Sequence, residues 1–172
     1  MDTKELNLVL TGFMGVGKTT VGRILAKKMV RQFIDTDEEI VKIAGMSVSE
    51  IFLQKGESSF RQMEKNLCSL LSMKKKLVIA TGGGTLLNNE NLDKISAYSV
   101  IFCLEASPYD IQTRLKDGSG RPLFTSGWLN IFEKRKHIYE TLGISINTSG
   151  RSPAQVAGEI LMIWKKMEVK FF

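Results

Sequence analysis

Apolar runs in this sequence stop at about five residues, as at 100–104, far short of the ~20 that a helix needs to cross a bilayer. A membrane-spanning class is therefore not expected. Only two cysteines occur, Cys68 and Cys103, each in an apolar setting. Two reduced core thiols are expected rather than a disulfide framework. The first residues carry Asp2 and Glu5 with no small-residue cleavage site, which predicts no secretory signal and a cytoplasmic location. Basic residues exceed acidic ones to give a net charge of +6. That charge is dispersed, without a basic tail or an aromatic-interleaved stripe, so it suits an anionic ligand and gives no support to nucleic acid as a partner. Internal repeats and low-complexity tracts are absent too. What remains is a chain of 172 residues, 43% apolar, the size of one domain with one sizeable core.

Strand-length apolar segments alternate with helical ones along the whole chain. Residues 6–11, 33–36, 77–81, 98–104 and 144–147 read as strands, the first a nearly continuous apolar run of the kind buried on both faces. Helical spacing covers 18–30, 37–44, 48–54, 57–73, 107–115, 128–142 and 153–166, with Gly45 and Gly56 as stops. Ser107 and Ser152, each followed by proline, read as helix caps. Strands separated by crossovers too long for hairpins predict an α/β fold, a five-stranded parallel sheet flanked by helices in three layers. The glycine-rich segment 116–127 has no periodicity and fits an active-site lid or a plain surface loop.

After the first strand, Gly12-Phe13-Met14-Gly15-Val16-Gly17-Lys18-Thr19 matches G-x-x-x-x-G-K-[ST]. Its glycines let backbone N–H groups turn inward around phosphate oxygens, and the helix that follows adds the positive end of its dipole. Lys18 would reach the β- and γ-phosphates of ATP and the Thr19 hydroxyl would ligate Mg²⁺. No N-K-x-D element for guanine recognition exists, and the chain has no room for the accessory domains of a mechanical ATPase. A small kinase acting on a small acceptor is the leading class.

Three further features belong to the acceptor. Asp35 and Asp37, at i and i+2 after the second strand, project the same way toward the sheet's C-terminal edge. One can serve Mg²⁺ and the other an acceptor hydroxyl; helix capping is the alternative for both. Gly82, Gly83 and Gly84 follow the third strand, where a bare backbone suits close approach to a ligand, a flexible turn being the alternative. Arginine supplies only seven of the 24 cations, so its positions carry weight where planar, bidentate recognition is needed. Arg61 has Glu64 at i+3 to hold it, Arg121 sits in the glycine-rich segment and Arg135 on the helix after it. Arg23 and Arg31 carry no such argument and read as surface residues, as does His137, the single histidine.

Together these residues resemble the shikimate kinase family. The likeness runs from residue 8 to about 153 through GFMGVGKTTVGR, Asp35-x-Asp37, EIFLQKGESSFRQME at 50–64, TGGG at 81–84, RPL at 121–123 and Arg135-x-x-x-Tyr139. The resemblance implies a nucleoside-monophosphate-kinase arrangement and MgATP-dependent phosphorylation of the shikimate 3-hydroxyl by a monomer, within aromatic amino-acid biosynthesis. It implies that Gly15, Val16, Gly17, Lys18, Thr19 and Thr20 hold phosphates, with Thr19 and Asp35 at Mg²⁺. Asp37 would contact shikimate hydroxyls as the candidate base, Arg61 and Arg135 would clamp the carboxylate, and Gly82–Gly84 would lie beside the ring. Arg121 would close over the transferring group, while Arg114, Arg151 and Pro153 match adenine-side contacts. Phe52 and Phe60 match positions near the ring, with helix-core packing as the alternative. A gluconate or nucleotide kinase on the same fold, and a nucleotide-binding module without catalysis, are the competing readings.

Overall fold

The computed structural model describes residues 5–116 and 127–170. In chain order these form β1 (Asn7–Thr11), α1 (Lys18–Met29), β2 (Gln32–Asp35), α2 (Thr36–Ala44), α3 (Val48–Ser72) and β3 (Leu77–Ala80). A 3-10 turn at Thr85–Leu87 leads into α4 (Asn89–Ser96), β4 (Ser99–Glu105), α5 (Pro108–Lys116), α6 (Trp128–Tyr139), β5 (Ile144–Asn147) and α7 (Pro153–Lys170). The five strands make one sheet in the order β2-β3-β1-β4-β5, and every pairing is parallel.

This order follows from the apolar pattern. Every residue of β1 and β3 is buried, so neither strand can sit at an edge. Right-handed crossovers put connections that run in opposite directions on opposite faces. The α1 crossover runs outward to β2 and the α4 crossover runs back across β1 to β4. Accordingly α1 packs with α7, and α3 packs with α4. Cys68 and Cys103 are free thiols in the core, as expected, and burial pushes each up to about 12. They stay protonated and inert.

Three local details, at Thr36, α4 and Arg31, differ from the sequence expectations. Thr36 belongs to α2 rather than β2, because the Asp35 side chain accepts from Asp37 N–H and Glu38 N–H and so starts the helix. Gly56 does interrupt the helix, as expected: it is a single non-helical residue (φ 79°, ψ 166°) between the two helical parts of α3. The eight-residue α4, capped by Asn88, carries only two apolar side chains, Leu92 and Ile95, and is not among the expected helices. Arg23 is exposed, as expected, whereas Arg31 is half-buried. Arg23 pairs with Glu38 at 2.6 Å and lies over Phe33, and Arg31 donates to Leu6 O at 2.6 Å and lies over Trp164. The caps at Ser107 and Ser152 form as expected.

Candidate active site

With β1 central and its neighbours β3 and β4 reached in opposite directions, the chain's switch point lies at the C-terminal end of β1, where open α/β sheets bind ligands. A cleft of about 820 Å³ opens there, large enough for a nucleotide and a small acceptor together. Gly15 to Thr20 line it from one side, and Asp35, Asp37, Arg61 and Gly82–Gly84 from the other. Arg114, Arg135, Arg151 and Pro153 complete the wall. Arg121 and most of the expected 116–127 lid lie outside the described residues.

The first turn of α1 is built for an anion. Its N-cap, Gly17, supplies no side-chain hydrogen bond, and the turn contains no acidic residue. By contrast, α2 starts on the Asp35 cap with three acidic residues in its first turn, and α3 on a Ser47–Glu50 capping box. The N–H groups of α1 therefore face the cleft without an internal acceptor side chain. Lys18, only 8% exposed, folds over the loop and donates to Gly12 O at 2.7 Å and Phe13 O at 2.8 Å. Phe13 anchors the loop from behind, its ring 5.3 Å from that of Phe132 and 6.3 Å from both Trp128 and Tyr139.

Asp35 fills both roles open to it. Its Oδ1 caps α2 while Oδ2 accepts from the Thr19 hydroxyl at 2.7 Å. The pair spans the gap between the end of β2 and the start of α1. Asp37, in the first turn of α2, lies against Gly82; a Cβ at Gly82 would collide with its Oδ1. At the other end of the same loop a Cβ at Gly84 would stand 2.9 Å from Arg61 Nη1. A side chain at Gly82 or Gly84 would have to displace the end of the Asp37 or Arg61 side chain, so the backbone here passes closely between an aspartate and an arginine.

Arg61 is held on two sides. Nη1 donates to Glu64 Oε2 at 2.7 Å, the i+3 pairing expected from spacing, and Nη2 and Nε donate to Glu57 Oε1 at 2.9 and 3.1 Å. Burial works against the guanidinium charge, and the two glutamates more than offset it, leaving Arg61 raised above its usual value. Glu64, 2% exposed, also accepts from the Thr85 hydroxyl at 2.6 Å, tying α3 to the turn after the glycines. Phe60 is buried in the core and Phe52 is half-buried, their rings 5.0 Å apart. Both rings also line the cleft, so packing and site-lining coexist. At the far end Arg114 donates to Thr148 Oγ1 at 3.0 Å, Thr148 O at 2.9 Å and Gly15 O at 3.4 Å, joining α5 to the phosphate loop. Arg151 donates to Asn147 O at 2.8 Å.

Sequence reasoning assigned no role to Tyr139, whose hydroxyl donates to Gly83 O at 2.6 Å, or to Thr148. The position of Tyr139 four residues after Arg135 was the available signal, since it puts both on one helix face.

Comparisons with known proteins agree with this geometry. The family model described as shikimate kinase matches residues 14–165. A shikimate kinase of Thermodesulfovibrio yellowstonii is 43% identical over 166 residues, covering 94% of this chain and 96% of the relative. Among solved structures, shikimate kinase from Acinetobacter baumannii in complex with shikimate superposes with a TM-score of 0.90 at 29% identity, covering 96% of each chain. Shikimate kinase from Aquifex aeolicus gives 0.80 at 35% identity, covering 91% of this chain and 95% of that one. The family model spans most of the chain and the curated relative is matched over nearly its full length, so this chain belongs to the shikimate kinase family.

Proposed function

We propose that this chain transfers the γ-phosphoryl group of ATP to the 3-hydroxyl of shikimate, working as a cytoplasmic monomer without a nucleic-acid or membrane partner. Among the described residues no helix is long and apolar enough to cross a membrane. The observation that carries the proposal is the triple glycine, pressed at one end on Asp37 and at the other on Arg61, across one cleft from the phosphate loop. A small ring carrying a hydroxyl and a carboxylate would meet an acceptor at Asp37 and a cation at Arg61.

In this reading the phosphates lie on the N–H groups from Gly15 to Thr20, and Lys18 exchanges its carbonyl contacts for β- and γ-phosphate oxygens. Arg61 and Arg135 grip the shikimate carboxylate, each guanidinium offering paired donors. The Gly82–Gly84 backbone lies against the ring. Asp37 orients the 3-hydroxyl and takes its proton as the new O–P bond forms and the bond from the γ-phosphorus to the β–γ bridging oxygen breaks. Arg121 acts on the transferring group, and Arg114, Arg151 and Pro153 border the adenine. Mg²⁺ fits the donor set: the Thr19 hydroxyl and Asp35 Oδ2 are hard oxygens 2.7 Å apart beside the phosphate cradle. An ion that keeps waters and phosphate oxygens needs few protein ligands. Thr19 and Asp35 would hold it, and when bound it neutralises phosphate charge.

ADP release measured with shikimate, quinate, gluconate and nucleoside monophosphates tests the reading. Shikimate should give a kcat/KM at least about 10²-fold above the others: gluconate and quinate can also meet the paired cations with a carboxylate, but on an open chain or a saturated ring that places the hydroxyl differently from Asp37, and nucleoside monophosphates present their anion on a much larger frame. Comparable values with gluconate or a nucleoside monophosphate would overturn it.

A further inference from the structure

Tyr139 closes α6 one turn beyond Arg135 and is 4% exposed. Its ring meets Phe13 of the phosphate loop edge-on, at 6.3 Å and 80°. The hydroxyl is directed at neither its own helix nor the sheet. It donates to Gly83 O at 2.6 Å, the carbonyl at the middle of the loop whose flanks touch Asp37 and Arg61. Burial pushes the Tyr139 hydroxyl up to about 12, opposed by the charge of the nearby Arg135 guanidinium. The group is therefore a proton donor throughout the working pH range.

Peptide planarity gives this one bond a directional consequence. Gly83 C=O and Gly84 N–H belong to the same trans peptide unit and point in opposite directions. Drawing the carbonyl toward α6 turns the Gly84 N–H away from α6. Glycine has no side chain to hold the unit by packing, and its backbone is the most permissive of any residue. The other ties of this loop lie at its ends: Gly82 N–H donates to the Thr36 hydroxyl at 2.8 Å, Thr85 N–H to Gly82 O at 3.2 Å, Leu87 N–H to Gly84 O at 3.2 Å, and the Thr85 hydroxyl to Glu64. The middle is tied by Tyr139.

We infer that Tyr139 is a positioning residue for the acceptor half of the site, its hydroxyl fixing the Gly83–Gly84 peptide and the Arg135 guanidinium together in one orientation. It touches neither substrate, and acts through groups that do. The inference rests on the acceptor assignment proposed above. The ring's packing on Phe13 is a separate matter that phenylalanine would satisfy equally, so the hydroxyl can be removed alone.

Tyr139→Phe, assayed with shikimate and MgATP, tests it. One hydrogen bond lost at this point should raise the KM for shikimate about fivefold, with the KM for ATP within about twofold of wild type. A purely structural hydroxyl would not divide the two constants in this way. In an Arg135→Lys background the same substitution should add less than about twofold, because both changes disturb one unit. A shikimate KM within twofold of wild type overturns the inference, as does an equal rise for both substrates or a fully multiplicative effect with Arg135→Lys. Failure of Tyr139→Phe to fold also overturns it, by making the hydroxyl a stability element. If wild type releases no ADP with shikimate, the acceptor assignment falls and this inference with it; if wild type is active and the variant unchanged, only the inference falls.

Discussion

The two oxygens of Asp35 face different tasks, and that division makes Asp35 and Asp37 separable by experiment. Oδ1 caps α2 and Oδ2 holds the Thr19 hydroxyl. Asparagine caps a helix about as well as aspartate, so Asp35→Asn should cost less than about 1 kcal/mol of stability. It should move the Mg²⁺ dependence of turnover to severalfold higher concentration, with partial rescue by excess metal. Asp37 starts no helix; its carboxylate abuts the glycine loop. Asp37→Asn should lower kcat by about 10²–10⁴-fold as the loss of a general base, with no rescue by Mg²⁺. Titrating Mg²⁺ against turnover for both variants decides between them. Rescue of Asp37→Asn but not of Asp35→Asn would reverse the two assignments.

Elements show where backbone conformation and residue type agree and where they conflict. Helix α1 ends on Val30, held at φ 53° and ψ 48° with its N–H returned to Ala26 O and Lys27 O. A β-branched residue is poorly suited to that left-handed position, and Val30 is 93% exposed, so little burial compensates. Val30→Gly should therefore raise stability by about 0.5–1 kcal/mol, after allowing for the greater entropy of the unfolded glycine chain. Gly56 is the opposite case. No atom lies within 4 Å of where its Cβ would stand, but φ 79° with ψ 166° is a region nearly closed to other residues. Gly56→Ala should cost about 1–3 kcal/mol. Urea unfolding of the two variants should thus shift in opposite directions; an unchanged midpoint for Gly56→Ala would show that the kink in α3 is not fixed. The same contrast explains how much of the fold is legible in the sequence. The strands stand out because a doubly covered parallel sheet demands unbroken apolar runs, and helix starts at Ser107 and Ser152 because capping is local. Helix α4 is hidden because its buried face is little more than Asn91 and Ile95. Site residues were legible where one segment holds the whole pattern, as in the phosphate loop or Arg61 with Glu64. The contact of Tyr139 with Gly83 joins positions 56 residues apart, and no local pattern encodes it.

On the scale of the whole molecule, one cleft is assembled from segments spread over more than a hundred residues, and the sheet order brings them together. β1 delivers the phosphate loop and β2 the aspartates. β3 delivers the glycines, and the segment after β5 closes the far end through Thr148 and Arg114. Ligands that bind only this assembled form should stabilise the fold as a unit, by about 2.7 kcal/mol at a concentration of 100 Kd. For a chain of this size that is roughly 5–11 °C in Tm. Lys18→Met separates nucleotide chemistry from this global effect. Methionine keeps the stem of the side chain without its ammonium, and the carbonyls of Gly12 and Phe13 that Lys18 engages stand beside an open cleft where water can replace it. The unliganded protein should fold, and turnover should fall by on the order of 10²-fold or more, because the charge that follows the phosphoryl group is gone. The Tm increase produced by MgADP should shrink, while the increase produced by shikimate alone should persist, since Arg61, Arg135 and the glycine loop are untouched. Near-normal turnover in folded Lys18→Met would remove Lys18 from the mechanism. Loss of the shikimate-induced shift as well would mean that the two halves of the cleft do not bind independently.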